Sequence, residues 1–176
     1  MSMTTIAVKH NIEVAHRLFE LPGKCEQIHG HSMWVTMELQ GRLNDKGILG
    51  GIEYGALKKV FRGHLDETYD HRLLLNVADP YARPIYMFDV DDFEPGERVN
   101  VDEGSKQYLP GLQATMGDPT TENLAKWIAH DMYEEMVAND LITAMPRNIY
   151  SIDVTVWETS VNMARFQFSP TKEVDK

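Results

Sequence analysis

Apolar and polar residues alternate most cleanly between His31 and Gly41. Met33, Val35, Met37 and Leu39 fall on one side of that stretch, the period of two that marks a half-buried strand. Residues 5–16 are rich in β-branched side chains but alternate less regularly. They predict a partner strand, joined to the first by a loop that Pro22-Gly23 punctuates. Farther on the period changes. Leu57, Val60 and Phe61 share one face of a helix predicted over 53–65. Leu124, Trp127, Ile128 and Met132 form the stripe of a clearer one over 118–137, which Thr120 or Thr121 can cap. Residues 66–76 pass through a polar turn into a short apolar run, and 148–159 and 162–169 predict a closing pair of strands.

The stretch from 77 to 118 breaks this order. Pro, Gly and Asp interrupt it, and a hairpin is possible at 85–101. It is too short to bury its own core, so it reads as an extended insertion in a single domain spanning 1–176. Strand–strand, helices, strand–strand predicts an α+β fold: an antiparallel sheet with helices on one face. Such a small sheet has open edges. Edges are commonly covered by another subunit, which predicts a homo-oligomer.

Composition narrows the partners. The hydrophobic share of 43% and charged share of 25% are ordinary globular usage. A formal net charge of −10 argues against a nucleic-acid partner held by phosphate neutralisation. No apolar run approaches a membrane span. The single cysteine has no partner within the chain and fits a reducing cytoplasm.

That cysteine begins the segment Cys25-Glu-Gln-Ile-His29-Gly-His31. His29 and His31 are two apart, so at the start of a strand they share a face. His16 ends the preceding strand. If the two strands form an antiparallel hairpin, the three imidazoles converge. Three neutral histidines with a fourth position open make a catalytic zinc site; an isolated His-x-His is more often a surface or hydrogen-bonding pair. A lone cysteine is usually a small buried hydrophobe, yet Cys25 follows Gly23 and Lys24 in a polar loop beside the suspected cation, a setting that favours reactivity. His71 could shuttle a proton with Asp70 orienting it, or the pair could be a turn feature. Glu158 closes an apolar strand. It could accept two parallel hydrogen bonds from a guanidine-like ring edge, or simply be solvated.

The segments Ala15-His-Arg-Leu18, Cys25–His31, Tyr69–Asn76, Pro119–Ile128 and Val154–Thr159, in this order, resemble the family of 6-pyruvoyl-tetrahydropterin and 6-carboxy-tetrahydropterin synthases. The resemblance covers roughly residues 6–76 and 118–168. It implies the tunnelling fold, whose subunits assemble into β-barrels as trimers or stacked hexamers with active sites between subunits. It also implies roles: His16, His29 and His31 as Zn2+ ligands; Cys25, Asp70 and His71 as the proton-transfer group; Glu158 as the pterin anchor; Thr120, Thr121 and Glu122 along the pterin pocket. Cys25 is separated from His29 by three residues, as in the bacterial carboxy-forming enzymes of the queuosine and 7-deazaguanine pathway; animal-type synthases have a longer spacer. The implied reaction turns 7,8-dihydroneopterin triphosphate into 6-carboxy-5,6,7,8-tetrahydropterin, acetaldehyde and triphosphate. A related subgroup, similar to a dihydroneopterin-cleaving aldolase, has glutamate in place of this cysteine, so the neighbouring Glu26 leaves a mixed activity open. The triphosphate needs cations, for which Arg17, Lys24 and Lys106 are candidates. The usual Phe-x-Ala-Ala-His appears here as Ile12-Glu-Val-Ala-His16, and Glu53-Tyr54 replaces Asp-Phe.

Overall fold

The computed structural model describes residues 3–82, 98–99, 112–115, 117–143 and 148–170. The elements run β1 (Thr4–His16), a 3₁₀ turn (Lys24–Glu26), β2 (His29–Gly41), α1 (Tyr54–Thr68), β3 (Arg72–Asn76), β4 (Arg98–Val99), β5 (Leu112–Thr115), α2 (Thr121–Ala138), β6 (Ile149–Trp157) and β7 (Met163–Phe168). Most of the hairpin expected at 85–101, and Lys106, lie outside the described residues.

β1 and β2 pair antiparallel over thirteen residues each, from Thr4 opposite Gly41 to His16 opposite His29. Ile12 and Val14 of β1 and Met33, Val35, Met37 and Leu39 of β2 are buried on one face. Ile152, Val154 and Val156 of β6 extend that face. Both helices cover it in one continuous core. Leu57, Phe61 and Leu65 come from α1; Leu124, Ile128 and Met132 come from α2. Burying each such side chain is worth roughly 1.5–3 kcal/mol, so the core holds the ladder in register. The Thr120 hydroxyl accepts the Asn123 N–H at 3.2 Å and caps α2, resolving the choice between Thr120 and Thr121. Tyr69, the residue that caps the end of α1, reaches α2 through a buried polar contact, its hydroxyl donating to Asp131 at 3.0 Å.

The sheet corrects one expectation. It is mixed rather than antiparallel, in the order β4-β5-β3-β1-β2-β6-β7. β3 lies parallel to β1, and β5 lies parallel to β3. The cause is the helical crossover: after the β1–β2 hairpin, α1 carries the chain to the free edge of β1, where β3 pairs in the same direction as β1. The short run Arg72–Asn76 has too little periodicity to announce that placement.

Gly41 sits where the β2–β6 register shifts. A Cβ there would lie 2.0 Å from the Asn148 carbonyl oxygen, a backbone atom that cannot rotate away. Gly63 lies in α1, and a Cβ there meets nothing within 4 Å. In urea unfolding, Gly41→Ala is expected to lose about 1–3 kcal/mol of stability, and Gly63→Ala to gain about 0.5–1 kcal/mol from helix propensity. An unchanged midpoint for Gly41→Ala would contradict the close approach.

Candidate metal centre and active site

The ladder carries His16 and His29 to directly opposite positions. His31 is the next residue of β2 on the same face. The ring centroids of the three imidazoles lie 4.6, 5.0 and 5.2 Å apart. One nitrogen from each ring falls within 4.8 Å of the others.

Hydrogen bonds on the far side of two rings decide what those nitrogens offer. His16 Nδ1 lies 2.9 Å from the Pro119 carbonyl, and His29 Nδ1 lies 2.7 Å from the Gln27 carbonyl. A carbonyl only accepts, so both Nδ1 atoms carry the proton. The neutral rings then present Nε2 lone pairs. Those two Nε2 atoms face each other at 3.1 Å. Two lone pairs at that distance repel unless a proton or a cation lies between them. His31 Nε2 is buried and has no hydrogen-bond partner among the described residues. Two acceptor nitrogens and an unpartnered third thus lie together, and three imidazoles so placed are a donor set that a divalent cation such as zinc takes. His16 is fully buried. Burial lowers its pKa, with help from the neighbouring imidazoles and against the Pro119 carbonyl and Glu158. A lowered pKa keeps the ring neutral and free to ligate.

The loop that carries Cys25 starts at one of these histidines and ends at another. Gly23 takes φ of 123° ahead of the 3₁₀ turn, a left-handed value that suits glycine. Cys25 is half-buried, and its carbonyl accepts the Leu18 N–H at 2.9 Å. Lys24 is exposed.

Asp70 and His71 form a bonded pair. His71 Nδ1 lies 2.7 Å from Asp70 Oδ2. Asp70 Oδ1 accepts the Glu13 N–H at 2.7 Å, and His71 N donates to the Glu13 carbonyl at 2.7 Å. The pair is therefore docked on the backbone of β1. Burial raises the Asp70 pKa, but the Glu13 N–H and the His71 ring outweigh it and hold the carboxyl below its ordinary range. His71 adopts φ of 56°, and its side chain is 79% exposed. Among the described residues, no hydrogen bond or ion pair joins His71 to Cys25 or to the three histidines.

Glu158 follows β6, and its Oε1 lies 3.8 Å from Nε2 of both His16 and His31. It therefore stands against the imidazole cluster rather than in open solvent. Thr120, Thr121 and Glu122 open α2, with the Thr120 hydroxyl spent on the cap. Their neighbour Pro119 supplies the carbonyl that orients His16, a backbone role with no side-chain signal. Arg17 was expected among the triphosphate cations. It is buried, paired with Asp79, and donates to the Glu26 carbonyl at 2.5 Å. Asp79, fully buried, was not among the residues the sequence singled out.

His130 is also shifted down, first by burial and then by Lys126. With His16 and His130 both held below 6.5, the unfolded chain binds more protons than the folded one once the pH falls below about 6.5. These groups cost the folded state nothing above that pH and a growing amount below it. The thermal midpoint of metal-free protein should therefore be insensitive to them above pH 6.5 and decline on acidification below it. A midpoint that rises between pH 6.5 and 5.5 would contradict the buried neutral rings.

Residues 5–168 match the sequence pattern described as 6-pyruvoyl tetrahydropterin synthase. The chain is 35% identical over 148 residues to a probable 6-carboxy-5,6,7,8-tetrahydropterin synthase of Halobacterium salinarum, spanning 84% of this chain and 76% of that one. It is 24% identical over 148 residues to the 6-carboxy-5,6,7,8-tetrahydropterin synthase of Rickettsia conorii, spanning 84% and 88%. Its fold superposes on the 6-pyruvoyltetrahydropterin synthase of Plasmodium vivax with a TM-score of 0.68 at 19% identity, covering 96% of this chain and 99% of that one. An uncharacterized protein from Wolinella succinogenes gives 0.69 at 19% identity, covering 94% and 98%. The pattern spans nearly the whole chain and includes every strand and helix that builds the histidine cluster, so this protein belongs to the 6-pyruvoyl tetrahydropterin synthase family.

Proposed function

We propose that the chain is a zinc-dependent lyase that converts 7,8-dihydroneopterin triphosphate and one water into 6-carboxy-5,6,7,8-tetrahydropterin, releasing acetaldehyde and triphosphate, as in the queuosine pathway. The observation that carries this reading is the convergence of the three imidazoles of His16, His29 and His31 at the two ends of the loop holding Cys25. Curated relatives named for the carboxy-forming activity support the product. His16, His29 and His31 would hold the zinc. Bound there, zinc supplies a Lewis acid for the substrate's side-chain oxygens.

The chain's own residues supply the rest. Cys25 takes a proton from the substrate side chain as general base. His71, oriented by Asp70, passes protons on. Its exposure suits a dyad offered to the active site of a neighbouring subunit, in a trimer or hexamer closed through the sheet edges at β4 and β7. Thr120, Thr121 and Glu122 line the pterin side, and exposed Lys24 meets the triphosphate. No helix among the described residues is long and apolar enough to cross a membrane, and we place the enzyme in the cytoplasm.

A second reading uses Glu26 as the base in an aldolase-type cleavage to 6-hydroxymethyl-dihydropterin and glycolaldehyde. Glu26 Oε1 lies 3.6 Å from Arg17 Nη2, a pairing that favours Cys25. Mass spectrometry of the products from dihydroneopterin triphosphate separates these two readings and the 6-pyruvoyl product. Cys25→Ala is expected to keep metal and fold and to lose about 10²–10⁴-fold in carboxypterin formation. Undiminished formation would move the base to Glu26.

Glu158 as ring anchor accepts two N–H donors from the pterin. Its position 3.8 Å from two imidazole nitrogens also places it within reach of a cation held there. The two roles separate in Glu158→Gln. An anchor loses affinity for a pterin analogue by about tenfold to a few hundredfold, because an amide N–H then faces a ring N–H, while zinc content holds. In calorimetry and elemental analysis, lost zinc with unchanged analogue affinity would make Glu158 a ligand instead.

A further inference from the structure

We propose that Arg17 is the positioning residue for Cys25, and that Asp79 holds Arg17 in place. This rests on Cys25 being the base of the proposed reaction.

The Cys25 loop is tied to the end of β1 by two consecutive carbonyls. The Cys25 carbonyl accepts from Leu18 N at 2.9 Å, and the Glu26 carbonyl accepts from Arg17 Nε at 2.5 Å. The second tie depends on where the guanidinium is fixed. Arg17 Nη1 donates to Asp79 Oδ1, and the Tyr81 ring lies 4.2 Å from Arg17 Cζ. Arg17 is 8% exposed and Asp79 is 0% exposed. A charged pair this deep is costly to break, because either partner alone is left as an uncompensated charge.

Asp79 is itself immobilised by its own turn. It sits just past β3, its N–H donates to the Asn76 carbonyl at 2.9 Å, and its Oδ1 accepts Tyr81 N at 2.7 Å. The result is a strut from the turn after β3, through a planar guanidinium, to the carbonyl of Glu26, the residue after Cys25. Lysine cannot replace it, since one ammonium does not reproduce the fixed fork of donors. Arg17 directly follows His16 in the chain. The same strut therefore sets the thiol relative to the histidine cluster.

A second tie enters from the other end of the 77–118 segment. Asp118 Oδ2 accepts Glu20 N at 2.9 Å, and its Oδ1 accepts from Asn76 Nδ2 at 3.1 Å. Asp79 and Asp118 thus grip the Cys25 loop from both ends of the insertion. A contact with triphosphate would require Arg17 to leave a buried carboxylate.

The test uses zinc-loaded wild type, Arg17→Lys, Arg17→Ala and Asp79→Asn. Zinc content, circular dichroism and the rate of Cys25 alkylation by iodoacetamide are measured, with kcat and KM for dihydroneopterin triphosphate. Cys25 is the only cysteine, so alkylation reports on it alone. With zinc and fold retained, kcat should drop about a hundredfold in Arg17→Lys and Asp79→Asn, as expected for a misplaced reacting group, while KM stays near wild type. Alkylation should speed up severalfold as the loop loosens, and added guanidinium should restore part of the Arg17→Ala rate. A raised KM with unchanged kcat would instead make Arg17 a triphosphate contact. Wild-type alkylation rates in all variants, or loss of the fold in all of them, would also overturn the proposal. If wild type fails to turn over the triphosphate, the proposed reaction falls, and the alkylation rates still decide whether the strut positions Cys25.

Discussion

The register of β1 against β2 is the constraint on which the site depends. A slip of one residue would turn each side chain of a strand to the opposite face. It would expose Met33, Val35, Met37 and Leu39 and carry His29 and His31 away from His16. The buried alternation that makes the hairpin fold is thus the same pattern that assembles the imidazoles. His16, fully buried, is the last residue of the core face of β1.

Around this frame, backbone carbonyls set the chemistry. Pro119 and Gln27 fix the proton on Nδ1 of two rings and leave Nε2 for a cation. Pro119 lies just ahead of the Thr120 cap, so the start of α2 is joined to the hairpin end. Burial then keeps His16 unprotonated. These effects act together: a protonated His16 would repel both the neighbouring rings and a metal.

The legible parts of the sequence were those with local patterns. The alternation of β2, the stripe and cap of α2, and the His-x-His spacing each follow from a short window. The order of motifs pointed to the family. Residues paired at long range left no such trace. Arg17 and Asp79 are 62 positions apart and fit no periodicity, so the sequence offered Arg17 only as a candidate triphosphate cation. β3 is a five-residue strand with three successive leucines, whose parallel pairing depends on where α1 deposits it. The Asp70–His71 pair was visible in the sequence only as one of two readings, because neighbours in sequence bond this way only when the backbone turns, as it does at φ of 56°. Pro119 acts through a carbonyl that any residue would offer.

The claim that three histidines form a zinc centre is tested most directly by elemental analysis of protein purified without added metal or chelator, alongside His29→Ala. His29 is the informative position, because its Nε2 faces that of His16 at 3.1 Å. The account predicts one zinc per wild-type chain and loss of most of it in His29→Ala, with the fold retained by circular dichroism. Stoichiometric zinc in the folded His29→Ala protein would place the metal elsewhere and contradict the account.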